Sequence, residues 1–294
     1  SPMLAAALLT VMNFHWLFSG TAIGFACSAL LVLTTVLPRA AAAKPKGGIY
    51  DNTTRGARLY LKTPRLRGLL AVTLAAAAAS AMVIVNTPVL VQAALGLGQR
   101  EVAITLAAFG GGSMLAALLL PRLLDKLPDR TVMLAAAPAM TIALAALALS
   151  WRGHASPGYW SVILAGWAVL GIAYSASITP GGRLLRRSSG EADRPALFAA
   201  QFALSHVCWL VAYPLAGQTG AQGGMGLAFA VAAALSLIGV GLAFLIWPKE
   251  DADVVEHDHA ALPPDHPHLA EGHPQGRAAH IFVIDELHPH WPIR

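Results

Sequence analysis

Residues 68–92 read GLLAVTLAAAAASAMVIVNTPVLVQ, without one charged side chain. A hydrocarbon core about 30 Å thick is crossed by about 20 residues of helix rising ~1.5 Å each. The stretch is therefore long and apolar enough to span a bilayer. Similar runs follow at 101–121, 131–151, 159–180, 195–217 and 225–247; one precedes at 16–38, and residues 1–13 resemble the end of another. The fold class is an all-α polytopic membrane protein. Ten-residue apolar/polar alternation, the mark of a spanning barrel strand, is not found, and Ala, Leu and Gly dominate the runs.

Composition agrees. The chain is 56% hydrophobic and 12% charged, whereas soluble domains carry about 25% charged residues. Such a chain cannot clothe a globule in polar surface, so lipid is its solvent. Cys27 and Cys208 fall inside spans and form neither a disulfide framework nor a metal pair. The net charge of +5 does not indicate nucleic acid as a partner, because the bases sit in short connections. Segments 39–67, 122–130 and 181–194 hold fifteen Lys and Arg; the alternating segments 93–100, 152–158 and 218–224 hold two. The positive-inside rule then places the basic connections and the C-terminal tail in the cytoplasm, across a bacterial-type inner membrane.

Four regions follow. Residues 1–38 carry two helices, 39–67 a basic linker, 68–248 six spans, and 249–294 a tail. Because the chain opens on Ser1-Pro2 inside an apolar run, without a start Met, it reads as a fragment whose N-terminal portion is missing. In the linker, 40–48 reads as a flexible joint and 53–70 as an amphipathic helix in the headgroup region. The tail, with nine acids, three bases and eight histidines, reads as mostly disordered, its apolar end at 280–291 able to dock.

Three stretches carry a resemblance. Ser1-Pro2-Met3-Leu4-Ala5-Ala6 resembles a Gly-Pro-x-x-Gly-Gly signature, with Ser and Ala replacing glycines. The loop from Pro121 to Arg130 resembles Gly-x-x-x-Asp-Arg-x-Gly-Arg-Arg; Asp125, Lys126 and Arg130 match, and Pro121 and Pro128 stand at the glycine positions. Pro180-Gly181-Gly182-Arg183 to Arg194-Pro195 sits where a loop between a tenth and an eleventh helix belongs. With helix count and linker position, these make the chain similar to major facilitator transporters of the exporter type, over about helices 5 to 12. The resemblance implies two six-helix halves that rock about a central substrate site. It also implies that the helices bearing Asn86, Pro88 and Gln92 and bearing Tyr174, Ser175 and Ser177 line the path.

The residues themselves sharpen these expectations. Pro88 removes a backbone donor and restricts Thr87, so a kink or break is expected there, with Asn86 and Gln92 beside it as substrate contacts or as bystanders to a kink. No Asp, Glu, Lys or Arg lies well inside a span, and His206 is the ionisable residue nearest mid-span. It shares a helix face with Phe202, Trp209 and Tyr213, next to Gln201 and Ser205. It reads either as a substrate or coupling-proton contact or as an interhelical hydrogen bond. Asp125, with Lys126 and Arg130, reads as a conformational latch against a neighbouring helix N-terminus or as a solvated loop charge. Gly110-Gly111-Gly112, Gly20/Gly24 and Gly239/Gly241 predict close helix contacts.

The tail pairs His257 with His259, His266 with His268 and His288 with His290, a donor set that suits borderline divalent metal ions. Its negative charge also complements the basic linker, so the two are expected to dock and restrain the rocking. The functional expectation is a monomeric secondary-active exporter of a small molecule, with the lipid bilayer as its main partner, no cofactor and no enzymatic chemistry. The alternatives are a nickel-type metal-ion exporter that uses the tail, or a non-transporting membrane scaffold or sensor.

Overall fold

The computed structural model describes residues 13–36, 48–151, 153, 158–251, 254–258, 277–284, 288 and 291. The run at 1–12 with its Ser1 to Ala6 motif, most of the 40–48 joint, and His259, His266, His268 and His290 lie outside these residues.

The first described helix, α1 (Phe14–Thr34), presents exposed side chains along its length and ends where Thr34 and Thr35 donate back to Leu30 and Leu31 carbonyls. In the linker, α2 (Ile49–Lys62) is amphipathic but shorter than the 53–70 expected. Thr63 is extended (φ −91°, ψ 109°) and Pro64 opens the next helix at its first turn. The residue before a proline avoids the α region, and a first-turn proline has no intrahelical N–H to lose. One helix becomes two at that point.

The spanning elements are α3 (Pro64–Pro88), α4 (Gln99–Leu124), α5 (Asp129–Ser150), α6 (Tyr159–Ile178) leading into the short α7 (Gly181–Arg187), and α8 (Arg194–Ile246). Five of these helical segments are long and apolar enough to cross a membrane. At 53 residues, α8 would be about 80 Å long if straight, but Gly224 (φ 75°, ψ 178°) reverses it. Its first arm runs alongside α3: Gln201 and Ser205 lie near Thr73, and Ala216 and Gly217 near Asn86 and Val85. The second arm runs back: Gly239 lies on Ala71 and Ala75, and Trp247 on Gly68. The last of the five apolar helices is thus two antiparallel arms, where the sequence reading expected two spans.

Pro88 does not break its helix. It keeps α conformation (φ −62°, ψ −42°), and the chain continues as a π-helical turn over Val89–Ala94, with Leu95 N–H donating five residues back to Leu90. The donor that proline lacks would have bonded Ile84 O, and the widened turn follows it on the C-terminal side. In the tail, β1 (Val254–Asp258) pairs antiparallel with β2 (Arg277–Ile281).

Close contact between helices rests on particular glycines. A Cβ on Gly112 of α4 would meet the Ala168 carbonyl of α6 at 2.2 Å, and one on Gly171 would meet the Phe109 carbonyl at 2.0 Å. Gly110, Gly111, Gly20, Gly24 and Gly241 face open space among the described residues. Among the described residues Gly112 and Gly239 are therefore used in packing, and neither Gly20 nor Gly24 is. Gly112→Ala is expected to cost about 1–3 kcal/mol through overpacking, and Gly110→Ala close to nothing. Thermal unfolding of the two variants in detergent, side by side, measures the difference.

Candidate functional site

A cavity of about 440 Å³ opens between α3, the α6–α7 junction and the first arm of α8. Thr73, Tyr174, Phe198, Gln201, Phe202 and Trp209 give it its character. No charged side chain lines it; Gly181 and Gly182 form one edge, leaving space where larger residues would fill it. Thr73 Oγ1 donates to Leu69 O (2.8 Å) and Ser205 Oγ to Phe202 O (2.7 Å). Both hydroxyls therefore spend their protons on their own helix and offer lone pairs to the cavity.

Gln201 behaves differently. The Tyr60 hydroxyl of α2, fully buried, donates to Gln201 Oε1. A buried phenol proton without an acceptor is costly, which fixes the orientation of the amide and leaves its NH₂ as the donor. Burial, with a smaller contribution from Cys208, pushes the Tyr60 phenol well above its ordinary value of 10.0, so it remains a donor. Helix α2 is held in place by Arg55, which pairs with Asp193 at 2.8 Å, and by Gly56, where a Cβ would strike the Ala196 carbonyl at 2.2 Å.

Of the expected path residues, the cavity gathers Tyr174 and Gln201. His206 lies on the exposed side of the same arm; its Nδ1–H donates to Phe202 O at 2.7 Å, and its ring packs on Phe202 at 4.2 Å. It bonds within its own helix, and among the described residues no interhelical hydrogen bond is seen for it. Tyr213 packs on Trp209, with ring centroids 5.3 Å apart. Ser177 is buried beyond the cavity, its Oγ without a hydrogen-bond partner among the described residues.

Asn86 lies thirteen residues past Thr73, about 20 Å along α3. Its amide donates to Ala216 O at 3.0 Å and contacts Met82 Sδ, tying α3 to α8. Pro88 is exposed near it, and the exposed Gln92 donates to Gln99 Oε1 at 2.8 Å. The expected path residues therefore lie in separate places: Tyr174 and Gln201 at the cavity, and Asn86, Pro88 and Gln92 further along the chain, at the end of α3 and just past it.

The latch residues also separate. Asp125 and Lys126 are exposed, while Arg130 donates weakly to Trp247 O at 3.5 Å. The buried acid of this loop is Asp129, at the first turn of α5, where a helix N-terminus favours negative charge. Arg183 lies 3.4 Å and Arg187 3.9 Å from its carboxylate. Arg187 also pairs with Asp251, which lies 3.8 Å from the fully buried Arg65. Sequence reasoning passed over Asp129 because the motif register pointed to Asp125; its place beside Pro128 at a helix start was the available signal.

In the tail, His288 is buried against Phe282, and His257 is a residue of β1. Among the described residues no three His, Cys, Asp or Glu side chains come together as a metal site.

A family model described as Major Facilitator Superfamily matches residues 1–151 and, overlapping them, residues 69–275. No curated protein matches the chain.

Two variants distinguish the acids of the loop. Asp129→Asn is expected to cost about 2 kcal/mol, below the range for fully buried pairs because Arg183 is half exposed, whereas Asp125→Asn should change stability by under about 0.5 kcal/mol. Thermal unfolding in detergent reads both. Tyr60 gives a pH test: its raised folded value means its contribution is complete below pH ~10 and is lost as pH rises through the folded value. Tyr60→Phe should therefore be less stable at neutral pH by about 1 kcal/mol and show a smaller loss of stability above pH ~10.

Proposed function

The chain belongs to the Major Facilitator Superfamily, and from that premise we propose that this transporter moves a small, uncharged, partly aromatic molecule outward by alternating access. The observation that carries the reading is the cavity. Its walls hold four aromatic rings (Tyr174, Phe198, Phe202 and Trp209), and no lining side chain carries a charge. An ionic substrate would lose its hydration there without gaining a partner, while a flat neutral one would gain ring contacts. Gln201 supplies an N–H donor, and Thr73 and Ser205 supply acceptors that orient such a molecule.

Alternating access needs a second bundle on the far side of the site. The exposed face of the first arm of α8, with Phe202, Val207 and Leu210, suits that contact. His206 is the proposed proton contact, its Nδ1 engaged by Phe202 O. The basic end of the bundle is assigned to the cytoplasm of a bacterial-type inner membrane, by the charge bias of its connections.

The test uses the full-length protein in proteoliposomes, against a panel of neutral aromatic compounds, organic cations and divalent metals. Transport of a neutral aromatic compound is expected, reduced roughly tenfold in Gln201→Ala, as the loss of one good hydrogen bond implies. Transport of divalent metal alone would favour the metal-exporter alternative. Full activity of the Tyr174→Ala, Gln201→Ala double variant would remove the cavity from the path.

A further inference from the structure

The end of the chain is built into the bundle at a mechanically sensitive place. Arg65, the second residue of α3, follows directly on the Thr63–Pro64 break that joins it to the linker helix α2. Its side chain is fully buried, which for a guanidinium demands partners on several sides. Asp251, three residues beyond Pro248, stands 3.8 Å away. Arg65 Nη2 donates to the carbonyl of Phe282 at 3.1 Å, and its guanidinium carbon lies 4.8 Å from the centroid of the Trp291 ring. Phe282 packs edge-on against Trp291 at 5.1 Å and against His288 at 4.9 Å. Tail residues thus supply a carboxylate, a carbonyl and an aromatic face to one linker-proximal cation, a combination that gains strength when desolvated.

We propose that the C-terminal segment is a releasable clamp: Asp251, the Phe282 carbonyl and the Trp291 ring hold Arg65 and so lock the joint between α2 and α3. The charge arrangement makes release feasible. Asp129 has two partners outside the tail, Arg187 at 3.9 Å and Arg183 at 3.4 Å, so lifting the tail does not leave this buried carboxylate unpaired. The β1–β2 pairing brings the chain after Ile281 back to the region it left at Asp251, which places Phe282 within reach of Arg65. The joint is also where α2 meets the cavity, through Tyr60 and Gln201. A locked joint therefore holds the linker and one cavity wall together. The restraint this places on rocking rests on the transport reading; the clamp itself does not.

Hydrogen exchange of the full chain in detergent tests the clamp, because the joint carries its own amide bonds, Thr63 N–H to Tyr60 O and Leu66 and Arg67 N–H to Thr63 O. In Asp251→Asn and in Trp291→Ala, exchange of peptides covering 60–67 should rise roughly tenfold, as local opening without global unfolding gives. Peptides from 101–124 should exchange as before, and Trp291→Phe, which keeps an aromatic face, should stay close to the parent. Unchanged exchange at the joint in both Asp251→Asn and Trp291→Ala overturns the proposal. A rise shared equally by 101–124 also overturns it, since that reports general destabilisation.

Discussion

A charge placed at the centre of a bilayer costs about 2.5–3.5 kcal/mol on insertion scales, and the whole layout of this protein follows from avoiding that cost. The spans hold no Asp, Glu, Lys or Arg in their interiors, so the charges that organise the bundle collect where the helices end. There they form a chain: Arg65 to Asp251, Asp251 to Arg187, Arg187 to Asp129, Asp129 to Arg183. Two acids serve three bases across four separate segments, α3, the tail, α7 and α5. Each acid is shared, so the excess of positive charge lets pairs exchange at this end.

Inside the membrane a different economy holds. Lipid tails are as apolar as leucine, so helices gain little from merely being greasy, and contact depends on close approach and hydrogen bonds. Gly112 and Gly171 bring α4 and α6 into backbone contact, where Ser113 donates to Gly171 O at 3.0 Å. Trp167 donates to Thr87, Trp160 to Thr105, and Thr141 bonds Ser236. Most polar side chains in the spans are committed to such links or to their own helix. The few that face the cavity stand out because so little else remains available to a ligand.

The spans and their shared ends were legible because both rest on composition: apolar length for the crossings, and Lys and Arg bias for which connections lie together. The reversal at Gly224 was legible as two apolar runs with a charge-free connection between them. What composition could not supply was direction. Asn86 and Gln201 are both amides in apolar runs, yet one is aimed at the Ala216 carbonyl and the other is set by a phenol from a different helix. Tyr60 was not visible as part of the site, since its role depends on α2 folding back over the start of α8. Asp125 closes α4 and Asp129 opens α5; a motif register chose the exposed one, and burial at the start of α5 chose the other. His206 illustrates the same limit, because spacing placed it beside Phe202 correctly but could not tell a bond to its own helix from one to a neighbour.

The first arm of α8 is where these constraints meet. At the basic end it is fixed by Asp193 to Arg55 and by Gln201 to Tyr60; at the other end Ala216 is held by Asn86. Between these anchors one side carries the buried Cys208 and Ala212 against α3, and the other leaves Phe202, Val207 and Leu210 exposed. A helix pinned at both ends cannot slide along α3 without breaking hydrogen bonds in a medium that offers few replacements. It can move together with α2 and α3, because its anchors travel with them. Rigid-body motion of the bundle, with the cavity carried along one wall, is therefore the movement this packing permits at least cost.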